Sequence, residues 1–324
     1  MRQYLSAGDF TDLYIRLLQR GNLSFLRPIW KNAKERTRLT FDHQFAISIW
    51  NMIPAVKQRL NAKVSGAPKV NYEQHFINKH LKDRHNLRLL SIGCGTASHE
   101  QYLAAHGPFS LIHGIDLAPT LIRVAQEQAH EKGLQNCRFE VLNFISDQID
   151  GPYDVVLFHQ SLHHFKDFDF ILGEFVPRVL TTDGLLLLNE YGGPDRFQWP
   201  PHQLKNAQAA LRRLPVAYRQ IFKTQLIKSK IYRPGWWRMK FADPSESLNS
   251  GELRPKLYQY FNTLRGKTPW RQPSIHLVLK DIAHNFCDNR PESLACLQEL
   301  FAAEDSYLQE NPTDFFYGVY QPCH

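Results

Sequence analysis

The chain has 324 residues, 43% apolar and 22% charged, with 39 basic and 31 acidic side chains. This length and composition are typical of one large or two modest globular domains, and they exclude a disordered chain. The five cysteines form no C-x-x-C pair, and cysteines and histidines form no cluster at zinc spacing. We therefore expect free thiols and no metal.

The sequence also argues against membrane insertion. Its longest aliphatic run, Leu185 to Leu188, is far shorter than the roughly 20 apolar residues that cross a bilayer. The first ten residues lack the continuous apolar core of a signal peptide. We expect a cytoplasmic protein with no membrane span.

Charge is unevenly distributed along the chain. Residues 1–85 carry 15 basic and 6 acidic side chains, residues 86–195 carry 6 and 14, and residues 196–324 carry 18 and 11. The basic flanks either meet an anionic partner, pack against the acidic middle, or form a solvated surface, and the sequence leaves these alternatives open.

Residues 1–85 are predicted to be mostly helical, with one amphipathic stripe just before the first strand. At helical spacing this stripe contains Tyr72, Phe76, Ile77, His80 and Leu81.

From residue 87 onward, short apolar runs alternate with helical patterns. Residues 87–92 form a predicted buried strand that ends in a tight turn at Gly93 and Gly95, and a helix is predicted over residues 96–106. The next run, 111–115, ends at Asp116.

A second helix is predicted after Asp116. It begins near Pro119, which a first helical turn tolerates, and ends at Gly133. Further strands are predicted over residues 137–142, 153–158 and 184–188. Apolar strands that alternate with helices predict a parallel sheet covered on both faces.

Ligands of such sheets bind beyond the carboxyl ends of the strands, so the residues that follow each strand are informative. The Gly93–Gly95 turn allows close approach of the backbone to a ligand. Asp116, 21 residues after Gly95, suits two ribose hydroxyls, and Asn143 and Phe144 suit the edge and face of an adenine. These residues together predict an adenosine site.

A dinucleotide oxidoreductase is disfavoured. The third glycine of the dinucleotide fingerprint is absent, and Ala97 and Ser98 occupy that region.

Four stretches resemble the class I S-adenosylmethionine-dependent methyltransferases. They are LLSIGCGTASHEQYLA, HGIDLAP, YDVVLFHQSLHHF and VLTTDGLLLLNEYGGPDRFQW, and they occur in the family's order between residues 87 and 199. The resemblance implies a Rossmann-like, seven-stranded α/β sheet, S-adenosylmethionine as cofactor, and methyl transfer. The stretch 189–199 most resembles a bacterial subgroup of specialised metabolism.

The same resemblance implies which residues contact the cofactor. Gly93, Cys94 and Gly95 would pass beneath its methionine part. Asp116 would hold the ribose beside Leu117, Asn143 and Phe144 would meet the adenine, and His159 would line the side shared with the substrate. Two residues depart from the family pattern: Ser91 replaces an acidic residue that many members carry, and Asn143 replaces the commoner aspartate.

Three parts are expected along the chain. Residues 1–85 form a helical lid or substrate segment, residues 86–199 form the cofactor-binding core, and residues 200–324 form a mostly helical substrate or lid segment. The last part ends in a closing strand, predicted at 315–320 and antiparallel by the family resemblance.

The segment from 218 to 270 is rich in aromatic residues interleaved with Arg and Lys. The sequence leaves three interpretations of this segment open: part of the hydrophobic core, a lid that closes over an organic acceptor, or a surface on which nucleic-acid bases stack. Its aromatic residues include Tyr232, Trp236, Trp237, Phe241, Tyr258, Tyr260, Phe261 and Trp270.

Candidate catalytic residues follow the fourth and fifth strands. His163 and His164 are candidate general bases, with a structural role as the alternative. Glu190 is a candidate to orient an amine or hydroxyl, or else a capping carboxylate. Tyr191 and Arg196 are candidate substrate contacts, with a surface ion pair as the alternative for Arg196.

The leading hypothesis is methyl transfer to oxygen or nitrogen of a small-molecule or peptide-like metabolite, with the two flanks forming the acceptor pocket. An RNA methyltransferase is the second hypothesis, although no named RNA module is visible. The third is a catalytically silent cofactor-binding subunit that supports a partner. The sequence leaves the acceptor, the methylated atom and the oligomeric state open.

Overall fold

A computed structural model describes residues 3–20, 49–242, 244–264 and 275–323. Seven strands of this part form one sheet in the order β3-β2-β1-β4-β5-β7-β6. Strands β1 to β5 are parallel, and β7 runs antiparallel to β5 and β6. The strands are β1 (Leu87–Ile92), β2 (Phe109–Asp116), β3 (Cys137–Val141), β4 (Tyr153–His159), β5 (Leu180–Tyr191), β6 (Phe261–Thr263) and β7 (Phe315–Pro322). The predicted seven-stranded α/β sheet is confirmed.

Helices of the described residues flank this sheet. They are α1 (Ala7–Arg20), α2 (Pro54–Ser65), α3 (Tyr72–His80), α4 (Ser98–His106), α5 (Pro119–Glu131), α6 (Val176–Val179), α7 (Pro201–Arg213), α8 (Trp236–Ala242), α9 (Ser250–Tyr260), α10 (Ile275–Leu279) and α11 (Pro291–Tyr307). A 3₁₀ turn at Leu162–His164 follows β4, and a π-helical turn at Asp169–Phe175 precedes α6. Within the described ranges, no helix has both the length and the apolar character to cross a bilayer.

Local sequence signals explain where several helices begin and end. The Asn71 side chain accepts a hydrogen bond from the Gln74 N–H at 2.8 Å and so caps α3. Prolines occupy the first turn of α2, α5, α7 and α11, where their missing N–H has no helical partner. Gly66, at φ 81°, ends α2 in the left-handed conformation.

The central strands bury both faces, which explains their continuous apolar sequence. Burying each of these aliphatic side chains stabilises the fold by about 1.5–3 kcal/mol. One face packs against the N-terminal helices and α7, α10 and α11 through Leu89, Val155, Leu157, Leu185 and Leu187. The other packs against the 168–180 segment and α9 through Leu90, Ile92, Val156, Phe158, Leu186 and Leu188.

The C-terminal segment is less helical than the sequence predicts. Residues 220–235 form turns with one isolated bridge between Gln220 and Ile227, and Phe261–Thr263 is a strand. A three-residue edge strand is too short to show alternation, and its one buried residue, Phe261, pairs with β7. Trp270 lies outside the described residues.

Candidate active site

The predicted glycine turn lies at the carboxyl end of β1. Gly93 and Gly95 have φ values of 71° and 56°, a region that strains other residues. A β-carbon on Gly93 would lie 2.6 Å from the Ser161 Cβ, whereas nothing lies within 4 Å of one built on Gly95. Between them, burial raises the pKa of Cys94 well above its usual value, so its thiol is neutral. The turn therefore packs tightly on one side and leaves open space on the other.

Asp116 is tied to this turn from the end of β2. Its Oδ2 accepts the Gly95 N–H at 2.9 Å, and its Oδ1 accepts the Ala118 N–H at 2.9 Å. Burial raises the pKa of Asp116 despite these backbone hydrogen bonds, which favour the charged form. The adjacent Leu117 is 36% exposed, so an apolar side chain faces solvent beside the carboxylate.

Asn143 and Phe144 lie after β3, as the sequence predicts, but most of their contacts are internal. The Asn143 Oδ1 accepts the Ile145 N–H at 3.3 Å within its own turn. The ring of Phe144 is 4% exposed and packs against Phe165 and Phe175. The aromatic ring at this position is thus part of the core, and Leu117 is the exposed apolar neighbour of Asp116.

A group of polar side chains, which we call the cofactor-side cluster, surrounds the end of β4 and the start of α4. It consists of Tyr72, Glu73, His99, Glu100 and His159. The Tyr72 hydroxyl and the His159 Nδ1 are 2.8 Å apart, and the rings of His99 and His159 stack with centroids 3.7 Å apart. His99 in turn hydrogen-bonds Glu73 through Nδ1. The N-terminal flank therefore contacts the carboxyl end of β4 directly.

The two stacked imidazoles differ in the direction in which their surroundings shift the pKa. Burial lowers the pKa of His159 well below its usual value, and the neighbouring His99 lowers it further, so the ring is neutral near pH 7. Burial also disfavours the charged form of His99, but its hydrogen bond and attraction to Glu73 outweigh this, and the pKa is raised.

Glu100, like Glu73, keeps one buried carboxylate oxygen without a hydrogen-bond partner among the described residues. It is 1% exposed, and its Oε1 accepts the Ser91 hydroxyl at 2.6 Å. Its Oε2 is buried and has no hydrogen-bond partner among the described residues. Burial raises the pKa of Glu100. A carboxylate oxygen is thus available beside Ser91, the position at which the family pattern has an acidic residue.

A second group, the acceptor-side cluster, consists of His163, His164, Glu190 and Glu246. The His163 Nδ1 is 2.8 Å from the Glu190 Oε2, and its Nε2 is 3.5 Å from the Glu246 Oε1. Burial alone would lower the pKa of His163, but the two carboxylates raise it to about 10. His164 and His163 outweigh the effect of burial on Glu246 and lower its pKa to about 2.

Glu190 is completely buried and uses both oxygens. Its Oε1 accepts the Ser161 and Leu162 N–H groups, each at 2.7 Å, and its Oε2 meets His163. These are the contacts of a carboxylate that holds the turn after β4 and fixes the orientation of one histidine.

Tyr191 and Arg196 also have internal partners. The Tyr191 hydroxyl donates to the Pro194 carbonyl at 3.1 Å. The buried Arg196 guanidinium donates to the carbonyls of Pro244, at 2.7 Å, and Glu246, at 3.2 Å. Arg196 thus holds the loop that carries Glu246. This role differs from both predicted ones, a contact to the acceptor and a surface ion pair.

Ser161 joins the acceptor-side cluster to the glycine turn, because its N–H donates to Glu190. Its hydroxyl donates to the Ile92 carbonyl at 2.6 Å, and its β-carbon closes the space beside Gly93. Sequence reasoning found the strand-end residues of both clusters but missed Glu73, His99, Glu100 and Glu246. An acidic side chain in the first turn of α4 was the visible signal for Glu100; no local motif marks Glu246.

The comparisons with known proteins agree with this geometry. Residues 83–243 match the family model of a methyltransferase domain. The chain is 28% identical over 112 residues to a malonyl-[acyl-carrier protein] O-methyltransferase of Acetivibrio thermocellus, covering 35% of this chain and 38% of that protein. It is 28% identical over 109 residues to a demethylmenaquinone methyltransferase of Thermus thermophilus, covering 34% and 49%.

An uncharacterised methyltransferase of Bacillus subtilis, YcgJ, is 31% identical over 157 residues, covering 43% of this chain and 60% of that protein. In each of these three relatives the matched part spans less than two thirds of the relative's own length. The names of the first two specify different acceptors, so the likeness is to the domain and not to one acceptor.

Proposed function

The chain belongs to the class I S-adenosylmethionine-dependent methyltransferase family, and we propose that it transfers a methyl group from this cofactor to oxygen or nitrogen of a small-molecule or peptide-like metabolite. The observation that carries the proposal is the Asp116 carboxylate bonded to the Gly95 N–H, next to open space over the glycine turn. When bound, the cofactor supplies an electrophilic methyl group on a sulfonium.

The residues of the site fit the separate parts of this cofactor. Asp116 offers carboxylate oxygens to the ribose hydroxyls, and charge-assisted hydrogen bonds of this kind are strong. Leu117 offers exposed apolar surface to the adenine. The Gly93–Gly95 turn leaves room for the methionine part, because no side chain projects from Gly95.

Glu100 fits the amino group of the methionine part. An ammonium brings three donors and a positive charge. The buried Oε2 of Glu100 is an acceptor with no partner among the residues that the structure describes, and the Ser91 hydroxyl already donates to the other oxygen. We assign to Glu100, from helix α4, the role that the strand residue at position 91 has in other family members.

The acceptor must approach the methyl group from the side opposite to the sulfur. Tyr72 from the N-terminal flank contacts His159 at the end of β4, and Glu246 from the C-terminal flank contacts His163 just after it, so the two flanks enclose this side. Such enclosure excludes water and holds a small acceptor in line.

The two candidate bases, His163 and His164, differ in their ability to accept a proton. His163 lies between two carboxylates that raise its pKa to about 10, so it already carries a proton at neutral pH and cannot accept another. His164 lies beside it with its Nδ1 3.1 Å from the Ser245 Oγ. Of the two histidines, His164 is the one proposed to remove a proton, where the acceptor has one to lose.

Calorimetry with S-adenosylmethionine and its demethylated product tests cofactor binding, and mass spectrometry of co-purified small molecules identifies candidate acceptors. Transfer of a labelled methyl group to such a compound would support the proposal. Binding of the cofactor without transfer to any co-purified compound would favour a silent subunit, and tight NAD binding with no response to the methyl donor would refute it.

RNA is the alternative acceptor that the basic flanks suggest. Neutralising several phosphates would make affinity fall by orders of magnitude between about 50 and 200 mM salt. We expect no binding to transfer or ribosomal RNA at about 150 mM salt, because acidic residues interrupt the basic ones and aromatic rings such as Phe261 and Trp199 are buried. Submicromolar binding with a steep salt slope and methylated RNA would favour this alternative.

A further inference from the structure

The acceptor-side cluster brings three different ligand groups together. One ligand atom each from His163, His164 and Glu246 lie within 4.8 Å of one another. The 3.5 Å between the His163 Nε2 and the Glu246 Oε1 is at the limit for a hydrogen bond. It is close to the roughly 3.4 Å that separates two ligands, each about 2.1 Å from a tetrahedral zinc ion.

The surroundings of His163 are those of a metal ligand. Glu190 accepts a hydrogen bond from Nδ1, which leaves Nε2 as the atom that meets the ion, and the ion displaces the Nε2 proton that His163 carries in its absence. The Ser161 and Leu162 N–H groups hold Glu190 in turn, so the imidazole cannot rotate freely. A carboxylate behind a histidine in this manner orients the ring and raises its basicity.

The carboxylate ligand is also held in place. Arg196 donates to the backbone carbonyls of Pro244 and Glu246, and its own N–H donates to the Ser247 carbonyl at 2.7 Å. This fixes the loop from both ends of the glutamate. The side chain of Glu246 remains 22% exposed, which leaves an entry path for an ion.

We propose that His163, His164 and Glu246 bind one divalent transition-metal ion of the zinc type, with its open coordination position directed to an oxygen of the acceptor. Two imidazoles and a carboxylate favour such an ion over Mg²⁺, which prefers oxygen ligands. Glu246 and Glu190 together balance the two charges of the ion. Three protein ligands leave a fourth position, as in sites where zinc binds a reacting oxygen.

The role of the open position rests on the proposed function, but the site itself does not. A metal-bound hydroxyl loses its proton to solvent near neutral pH, and the resulting oxygen is a better nucleophile, so in the metal-bound protein this ionisation replaces proton removal by His164. The acceptor class that fits is therefore one with a hydroxyl or another oxygen donor. Such an acceptor would be held beside Gly93, because Ser161 joins the two regions.

Metal binding is measured directly, without methyl donor or acceptor. The full chain is treated with a chelator, dialysed, and titrated with Zn²⁺ by calorimetry and with Co²⁺ by visible absorption. We expect one ion per chain and the absorption of four-coordinate cobalt. His164→Gln and Glu246→Gln should each weaken the affinity by more than about 100-fold, and Glu190→Gln, which removes only the orienting carboxylate, by about 10–100-fold.

His130→Gln and Glu252→Gln are matched controls, because both residues are exposed and lie outside the cluster. These variants should keep the affinity of the parent protein. Circular dichroism establishes that each variant is folded. Because Glu246 and His164 are partly exposed, substituting them should disturb folding less than substituting the buried Glu190.

Absence of a stoichiometric site, or equal losses in the controls, would overturn the proposal. The cluster would then be a protonated His163 bridging two carboxylates. Since the titration needs no cofactor, that outcome leaves methyl transfer untouched. Conversely, a metal site in a protein that does not bind S-adenosylmethionine would overturn the proposed function alone.

Discussion

The two clusters at the carboxyl end of β4 contain similar residues but differ in how many of their carboxylate oxygens have hydrogen-bond partners. Each combines histidines near a strand end with a carboxylate from a flank: His99 with Glu73, and His163 with Glu246. In the cofactor-side cluster, Glu73 and Glu100 each keep one buried oxygen without a hydrogen-bond partner in the described part of the chain. In the acceptor-side cluster, Glu190 uses both of its oxygens.

An unpaired buried carboxylate oxygen costs free energy unless a ligand pairs with it, whereas a paired one stabilises the chain alone. The cofactor-side cluster is therefore incomplete without a cationic ligand group, and Glu190 is a support for its neighbours. Substitutions should separate these roles. On the cofactor side they should change the affinity for the ligand, and in the supporting residues on the acceptor side they should change the stability of the fold.

The largest effect is expected for Asp116→Ala. It removes two charge-assisted hydrogen bonds to the ribose, each about 1.5–3 kcal/mol, so affinity for S-adenosylmethionine should fall by at least about 100-fold. Calorimetry measures this. Asp116→Asn, which keeps one acceptor oxygen, should lose less.

Unchanged affinity in Asp116→Ala would reject the ribose assignment. Because Asp116 also holds the Gly95 N–H, a thermal unfolding experiment is needed to separate ligand loss from loop movement. A fall in affinity with an unchanged unfolding temperature supports direct contact.

Arg196→Met tests the support on the acceptor side. The change leaves two carbonyl groups of the 244–246 loop without their donor, so the free energy of unfolding should fall by about 2 kcal/mol. Affinity for the methyl donor should stay within about twofold, while KM for the acceptor rises. A weaker affinity for the methyl donor at unchanged stability would contradict this assignment, because it would mean that Arg196 acts on the cofactor and not on the loop beside the acceptor.

The sequence predicts the strand ends far better than it predicts these supports. Gly93, Asp116 and the two adjacent histidines follow apolar runs, and topology places everything that follows a parallel strand at one edge. Glu246 and Arg196 are 50 residues apart in sequence, and their pairing depends on how the 244–247 loop folds back onto the residues that follow β4 and β5. Local periodicity carries no information about such contacts.

The helical overprediction after residue 213 has a similar cause. The short β6 strand exists because β7 offers it a backbone edge, and that edge lies more than 50 residues further along the chain. The composition around Phe261 resembles that of an amphipathic helix, and pairing with β7 outweighs that preference.

Glu100→Gln should have a smaller effect that sharpens the comparison. A neutral amide still accepts the Ser91 hydroxyl but loses the charge that attracts an ammonium, so affinity for S-adenosylmethionine should fall by about tenfold. Methylthioadenosine, which lacks the amino-acid part, is the probe that distinguishes the mechanism. Its affinity should be the same in both proteins, and an equal loss for both ligands would show that Glu100 acts on the fold instead.

The smallest effect on ligand affinity is expected at Asp314, a buried carboxyl group outside both clusters that shows what burial does without a ligand. Burial raises its pKa from the usual 3.8 to about 7, although the Gln203 amide, 2.7 Å away, and Arg254 favour the charged form. The native chain then binds more protons here than the unfolded chain between these two values. Its contribution to stability is therefore complete below pH 3.8 and is lost as the pH rises through about 7.

Urea unfolding of the parent protein and of Asp314→Asn at several pH values isolates this contribution, because the difference between them removes the titration of all other groups. The difference should decrease as pH rises, by at most about 1.4 kcal/mol per unit. A difference independent of pH would mean that Asp314 is charged in the native state. Burial alone would then be too weak to protonate a carboxyl group in this chain, and the same conclusion would extend to Glu100, which would hold its negative charge ready for a cationic ligand at neutral pH.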